Sequence, residues 1–322
     1  MKRRQIAVCD REPDYTKRFA RYANRYRDPL FTVHGYTNIQ ELVKDTKEHP
    51  ADIILLSKEL PKELNKDETT GQIICLSEEE YQEENPEYPV ICKYLSCPQI
   101  LRKAYSIYAD RALVNIGTAL RLREMKRIGV FSPLGRTGKT SFALRFGKEL
   151  AKQRRTLYLN MEEFSGFEIL YPWGDGWTLS ELMYFMKQGK KAFACKLESM
   201  IGQIGGLDYI PPVKSPLELK SIEKEDWEAL LEALEKESRY EFVILDLSCG
   251  VNGLFELLES CDRIYMPHAL DENAQAKLWQ YKETLKLLEM ENILEKTEKV
   301  TFSSMEQLEE YARMEGQRWR EI

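Results

Sequence analysis

Gly138, Lys139, Thr140 and Ser141 stand together, directly after an apolar run at 128–131 and at the start of a helix-periodic segment. At such a strand-to-helix turn, successive backbone N–H groups and the positive end of the helix converge on one point, which suits an anion. Lys139 adds a mobile charge for β- and γ-phosphates, and the Thr140 hydroxyl suits Mg²⁺. The candidate cradle runs through Leu134, Gly135, Arg136, Thr137, Gly138, Lys139, Thr140 and Ser141. ATP and Mg²⁺ are the expected cofactors.

The second half of this site is the apolar run 242–245 closed by Asp246. In P-loop proteins an aspartate at the carboxyl end of such a strand holds Mg²⁺, usually through water. Either half alone is unspecific: a chance GKT opens many helices, and an aspartate after a strand also caps loops. The pair is the stronger signal, so Thr140 and Asp246 are the expected metal-holding residues. A strict GxxxxGK[ST] pattern needs glycine at 133, where this chain has Pro133. Proline lacks the backbone donor, so the cradle departs from the usual shape. Binding is expected; efficient hydrolysis does not follow.

These residues need rigid elements to hold them. The periodicity predicts strands at 5–9, 31–35, 52–56, 73–76 and 90–93, with helices at 13–27, 39–48 and 98 to about 125. An acidic stretch at 77–89 reads as a solvated loop or short helix. The basic run at 121–127 reads as a linker helix near a domain boundary at 118–126. The alternation then restarts, with strands at 128–131, 156–159, 207–210, 242–245 and 263–266. Helices follow at 140–153, 179–187 (opened by Thr178 or Ser180), 224–236, 272–289 and 305–322. The expected fold is α/β, with two doubly wound parallel-sheet domains at 1–120 and 121–322.

Bulk properties narrow the function. A net charge of −6 argues against a broad nucleic-acid surface. No apolar run is long enough to span a bilayer, and the basic amino terminus lacks the apolar stretch of a secretory signal. A cytoplasmic location is expected. The seven cysteines include no CxxC pair, which fits reduced thiols and gives no zinc site.

With the motifs in place, the chain resembles the ParA/MinD-type ATPases with a deviant P-loop, and within them the TadZ/CpaE family of pilus-assembly localisation proteins. The likeness covers nearly the whole chain and rests on IGVFSPLGRTGKTSFALRFG, YLNMEEFSG and GLDYIPPVKSPLELKSIEKEDWEALLEAL before YEFVILDLSCG. It implies a homodimer and pilus-assembly or secretion proteins as partners, with recruitment to the membrane or cell pole through them. The family's signature lysine falls at Leu134 here, and Arg136 replaces a glycine. Arg136 either reaches a phosphate or is a surface arginine. The acidic pair that follows the next strand reads Asn160-Met161-Glu162. The resemblance implies that Glu162 positions the attacking water, with Lys139 as the other catalytic residue. These departures imply slow turnover or none.

The first region resembles a degenerate response-regulator receiver, in which Asp10 keeps one acid, Arg11 replaces another and Ser57 stands at the phosphoacceptor position. Lys93 falls where receivers carry their lysine. This implies a docking or dimerising module that cannot form an aspartyl phosphate. The leading reading is an ATP-binding scaffold, a nucleotide-dependent switch in pilus assembly. Its rival is an active MinD/ParA-type ATPase in spatial positioning or DNA partitioning, with a membrane-binding tail. Trp173, Trp177, Cys249 and His268 are read as packing or turn residues, although His268 could border an adenine.

Overall fold

A computed structural model describes residues 4–25, 31–64, 71–78, 88–111, 124–172, 177–188, 193–238 and 240–320. Contacts divide the chain into two compact units, 1–116 with 190–199 and 117–189 with 200–322.

The first unit is built from β1 (Arg4–Cys9), α1 (Pro13–Arg25), β2 (Phe31–Tyr36), α2 (Ile39–Glu48), β3 (Ile53–Ser57), β4 (Gln72–Ser77), β5 (Val90–Cys92) and α3 (Cys97–Arg111). Its five strands are all parallel, in the order β2-β1-β3-β4-β5. Ile53, Ile54, Leu55 and Leu56 are wholly buried, as a central strand covered on both faces requires. Asn38 caps α2 by accepting the Glu41 N–H at 2.8 Å, which satisfies one orphan donor of the first turn.

The second unit carries β6 (Lys126–Phe131), α4 (Lys139–Ala151), β7 (Thr156–Met161), α5 (Phe167–Leu170) and α6 (Leu179–Lys187). After α7 (Phe193–Met200), most of which belongs to the first unit, come β8 (Gly202–Ile204), β9 (Leu207–Ile210), α8 (Pro216–Lys220), α9 (Lys224–Glu237) and β10 (Phe242–Leu247). The chain ends with α10 (Leu254–Ser260), β11 (Arg263–Pro267), α11 (Glu272–Leu287), α12 (Asn292–Glu295), β12 (Thr297–Val300) and α13 (Met305–Arg320). Strand order is β12-β11-β6-β10-β7-β9-β8. The sheet is parallel except for β8, which pairs antiparallel with β9.

That edge strand corrects the expectation of a wholly parallel sheet. Gly205 and Gly206 both have positive φ, so a two-residue turn joins β8 to β9 where a crossover was expected. Three residues were too few to show periodicity. The predicted helix from 98 to about 125 is described only as far as Arg111; Glu124 and Met125 are not helical, and 112–123 lie outside the described residues. Most of the predicted boundary and of the acidic stretch also lies outside them, as does Trp173. Asp246 is the next-to-last residue of β10, at the strand's carboxyl end as expected.

Helix α4 packs tightly on this sheet. A methyl group on Gly147 would come within 2.8 Å of Leu207 and 2.9 Å of Ile244. Phe142, Phe146, Tyr158, Tyr265, Leu308 and Ala312 share one buried cluster that joins α4, the sheet and α13. Burying a phenylalanine side chain contributes about 1.5–3 kcal/mol, so this cluster fixes where the turn before α4 sits.

Candidate functional site

β6 lies inside the sheet, with β10 on one side and β11 on the other. The chain leaves β6 for β7 on one side and later reaches β11 on the other. Ligands of open α/β sheets settle at the carboxyl ends of strands where the order reverses in this way. The turn 132–138 occupies that place, and Gly138 ends it with φ 85° as the N-cap of α4. A left-handed φ favours glycine there. Arg136, with φ 60°, is an exposed non-glycine residue in the same region.

A cavity of about 430 Å³ opens over this turn. All eight sequence-predicted cradle residues, Leu134 to Ser141, line it, together with Glu162. Ser132, Pro133, Glu163, Phe164, Ser165, Ser248 and Cys249 complete the wall. Thr137 Oγ1 is buried without a hydrogen bond. Nothing would meet a methyl group on Gly135 within 4 Å, so space is open above the cradle at that point.

Lys139 Nζ donates to the Glu162 carboxylate and to the Leu247 carbonyl oxygen at 3.0 Å. Glu162 is thereby tied to the lysine. Its backbone N–H donates to Asn160 Oδ1 at 3.0 Å, so Asn160 orients the segment that carries Glu162. Leu134 is buried. Arg136 makes no ion pair among the described residues.

Asp246 does not line the cavity. It is fully buried in β10, behind the Thr140 hydroxyl. Tyr158 O–H donates to its Oδ2 at 2.8 Å, and Asn160 Nδ2 donates to the Tyr158 oxygen at 2.9 Å. Oδ1 is left without a hydrogen bond. Burial pushes the Asp246 pKa from 3.8 up to about 6, against the pull of Lys139's charge and of the Thr140 and Tyr158 hydroxyls. A buried carboxylate oxygen lacking a partner, next to a threonine hydroxyl at a phosphate-type turn, fits Mg²⁺ or its bound water. Magnesium keeps several waters and takes few protein ligands, so Thr140 and Asp246 would hold it together with waters and phosphate oxygens.

Tyr158 and Ser248 were missed from the sequence. Tyr158 looked like an ordinary buried strand residue, although its two-residue spacing from Asn160 places both on one face of β7. Ser248 O–H donates to the Met161 carbonyl at 2.8 Å and joins β10 to the end of β7. Cys249 stands at the rim; partial desolvation of its thiol and the neighbouring glutamates outweigh Lys139 and raise its pKa, which disfavours a thiolate nucleophile. His268 sits beyond β11, with Nδ1 3.0 Å from the Val300 carbonyl oxygen.

In unit 1, Lys93 Nζ lies 2.9 Å from Asp10 Oδ2, 3.6 Å from Glu12 and 3.7 Å from Glu78. Burial lowers the Lys93 pKa, but the Asp10 carboxylate outweighs it, so the net shift is upward. Ser57 ends β3 at the same sheet edge, because Cys9 pairs with Leu56.

No protein-family profile matches the chain, and no curated protein matches it. Among solved structures it is similar to a plasmid partition protein from Borrelia burgdorferi bound to AMPPNP. That match has 14% identity, 62% of this chain and 100% of that one covered, and a TM-score of 0.41. A cobyrinic acid a,c-diamide synthase from Mycobacterium smegmatis with bound ATP analog and magnesium matches at 17% identity, with 54% and 72% covered and a TM-score of 0.41. A Cyanothece McdA variant in complex with ATP matches at 15% identity, with 60% and 79% covered and a TM-score of 0.42.

Proposed function

We propose that this chain is an ATP- and Mg²⁺-controlled scaffold whose hydrolysis is slow or absent, and that it serves to localise pilus-assembly proteins of the Tad/Flp, type IV-like kind. The observation that carries the nucleotide reading is the juxtaposition at the β6–α4 turn. Open space, the N-terminus of α4, Lys139 and Thr140 stand near a buried Asp246 with one unpartnered oxygen. Triphosphate oxygens would take Lys139 from Glu162, and Thr140 with Asp246 would hold the metal. Bound Mg²⁺ supplies charge neutralisation between the β- and γ-phosphates. Arg136, exposed on the cavity wall, would contact phosphate in its own or a partner's site.

Slow hydrolysis is supported by the buried leucine at 134, which stands where the resembled family carries its lysine. The receiver-like reading of 1–120, beside a ParA/MinD-like domain at 121–322, is supported by the strand order 2-1-3-4-5, shared by flavodoxin-like folds. A docking role suits that unit because Ser57 offers no carboxylate to phosphorylate. The pilus setting rests on the TadZ/CpaE likeness of the sequence. Against the membrane tail of the MinD-type alternative, Leu308 and Ala312 of the last helix are buried in the core. No helix among the described residues is long and apolar enough to cross a membrane.

Calorimetric titration of ATP·Mg²⁺ into wild type and Lys139→Ala, with molecular mass followed in parallel, tests the reading. Losing charge-assisted phosphate bonds worth about 2–3 kcal/mol weakens binding roughly 30- to 150-fold. Equal affinity in the variant would remove the site from this turn.

A further inference from the structure

Helix α1 runs against the charge of the chain. In a protein of net charge −6, it carries Lys17, Arg18, Arg21 and Arg25, all exposed, with Asp14 as its one acid. Arg18, Arg21 and Arg25 are spaced by three and four residues, so they share one face. Like charges at that spacing weaken a helix. None of the four cations has an ion-pair partner among the described residues. By contrast, Lys187 lies 2.7 Å from Asp226, Arg145 2.9 Å from Glu309 and Lys224 3.2 Å from Glu256.

Beside this row lies a second feature. A cavity of about 340 Å³ is lined by Tyr15, Arg18, Phe19, Tyr22, Leu95 and Pro98, among others. Tyr15 and Phe19 stand side by side, ring centroids 6.0 Å apart, with Phe19 buried beneath. The cavity has room for a large apolar side chain. Arg18 belongs to both features, so an anion on the arginine row would stand at the mouth of an aromatic slot.

We propose that this face of unit 1 is a docking site for an acidic segment of a partner protein. Its carboxylates would meet Arg18, Arg21 and Arg25, and one aromatic or large aliphatic side chain would fill the slot. Arginine forks suit carboxylates, and arginine clusters recur in the recognition of acidic motifs. Nucleic acid and anionic lipid offer the same charge but respond to the field of the whole molecule, which is negative. A slot sized for a single side chain suits a peptide better than either.

Random-peptide display against the full chain tests this, with labelled versions of the recovered peptides measured by fluorescence anisotropy. Recovered sequences should combine several acids with one aromatic or large aliphatic residue. Arg18→Glu/Arg21→Glu should weaken them about tenfold, and added salt should weaken them further. The matched reversal Lys44→Glu/Lys47→Glu on α2 should leave them unchanged. All four sites are exposed, and thermal melts confirm that the variants fold. The proposal is overturned if the selected peptides show no acidic enrichment, or bind the Arg18/Arg21 variant as well as wild type. It is equally overturned if duplex DNA or phosphatidylserine vesicles bind wild type more tightly than the peptides and displace them.

Discussion

Gly135 and Asp246 separate two kinds of residue effect at one site. A methyl group at Gly135 meets nothing within 4 Å, so Gly135→Ala should leave unfolding stability within about 0.5 kcal/mol of wild type. A triphosphate lying against the loop would meet that methyl, and ATP affinity should fall about tenfold; a change in stability without a change in binding would show the space to be unrelated to ligand. Asp246 gives a pH signature in the nucleotide-free protein. Its folded pKa of about 6 lies above the ordinary 3.8, so the folded state holds its proton more tightly. The stability it contributes is full below about pH 4 and is lost as pH rises through about 6, in total about 3 kcal/mol. Asp246→Asn keeps an acceptor for Tyr158 and cannot titrate. Denaturant unfolding from pH 4.5 to 7 should show wild type losing stability relative to this variant as pH rises. A constant difference across that range would contradict the raised pKa.

At the scale of elements, most of the fold was legible in the sequence where periodicity was long or a cap was present. Helix α2 and strand β9 match their predicted bounds, as does α6, whose Thr178 and Glu181 form a capping box. Strand β8, strand β12 and helix α7 were not legible, because three to eight residues give too few periods to separate from a loop. The cradle itself was legible because a glycine-rich turn, a lysine and a hydroxyl must be contiguous in the chain. Tyr158 was not, because its partnership with Asp246 spans 88 residues and depends on register. The last helix was the ambiguous element, amphipathic enough to suit a membrane or a core. Leu308 packs within the α4–sheet cluster, and one of its methyls would lie 3.3 Å from a carbon added to Gly138. Leu308→Ala should therefore lower unfolding free energy by about 2–5 kcal/mol. Wild type should not co-sediment with anionic vesicles through this helix. A variant of unchanged stability with lost vesicle binding would restore the membrane-tail reading.

For the whole molecule, the distribution of acids decides how it answers Mg²⁺. Among the described residues, no three His, Cys, Asp or Glu side chains are grouped to hold a metal ion. In unit 1 the Lys93 ammonium already lies among Asp10, Glu12 and Glu78 and stacks 4.8 Å over the Tyr15 ring. In unit 2 Asp246 is buried and supplies one free oxygen. Neither place offers Mg²⁺ enough ligands by itself; phosphate oxygens would complete the set. Millimolar Mg²⁺ alone should thus leave the melting temperature unchanged, with or without acetyl phosphate, and intact mass should show no phosphoryl adduct. ATP with Mg²⁺ near a hundred times its dissociation constant should stabilise the second unit by about 2.7 kcal/mol. For a unit of that size this is a rise of roughly 5 to 10 °C. A rise with Mg²⁺ alone that survives Lys139→Ala, but disappears in Asp10→Asn, would place a metal site in unit 1 instead. The ammonium of Lys93 would then have to leave its carboxylates, and the picture of a unit closed to phosphoryl chemistry would fail with it.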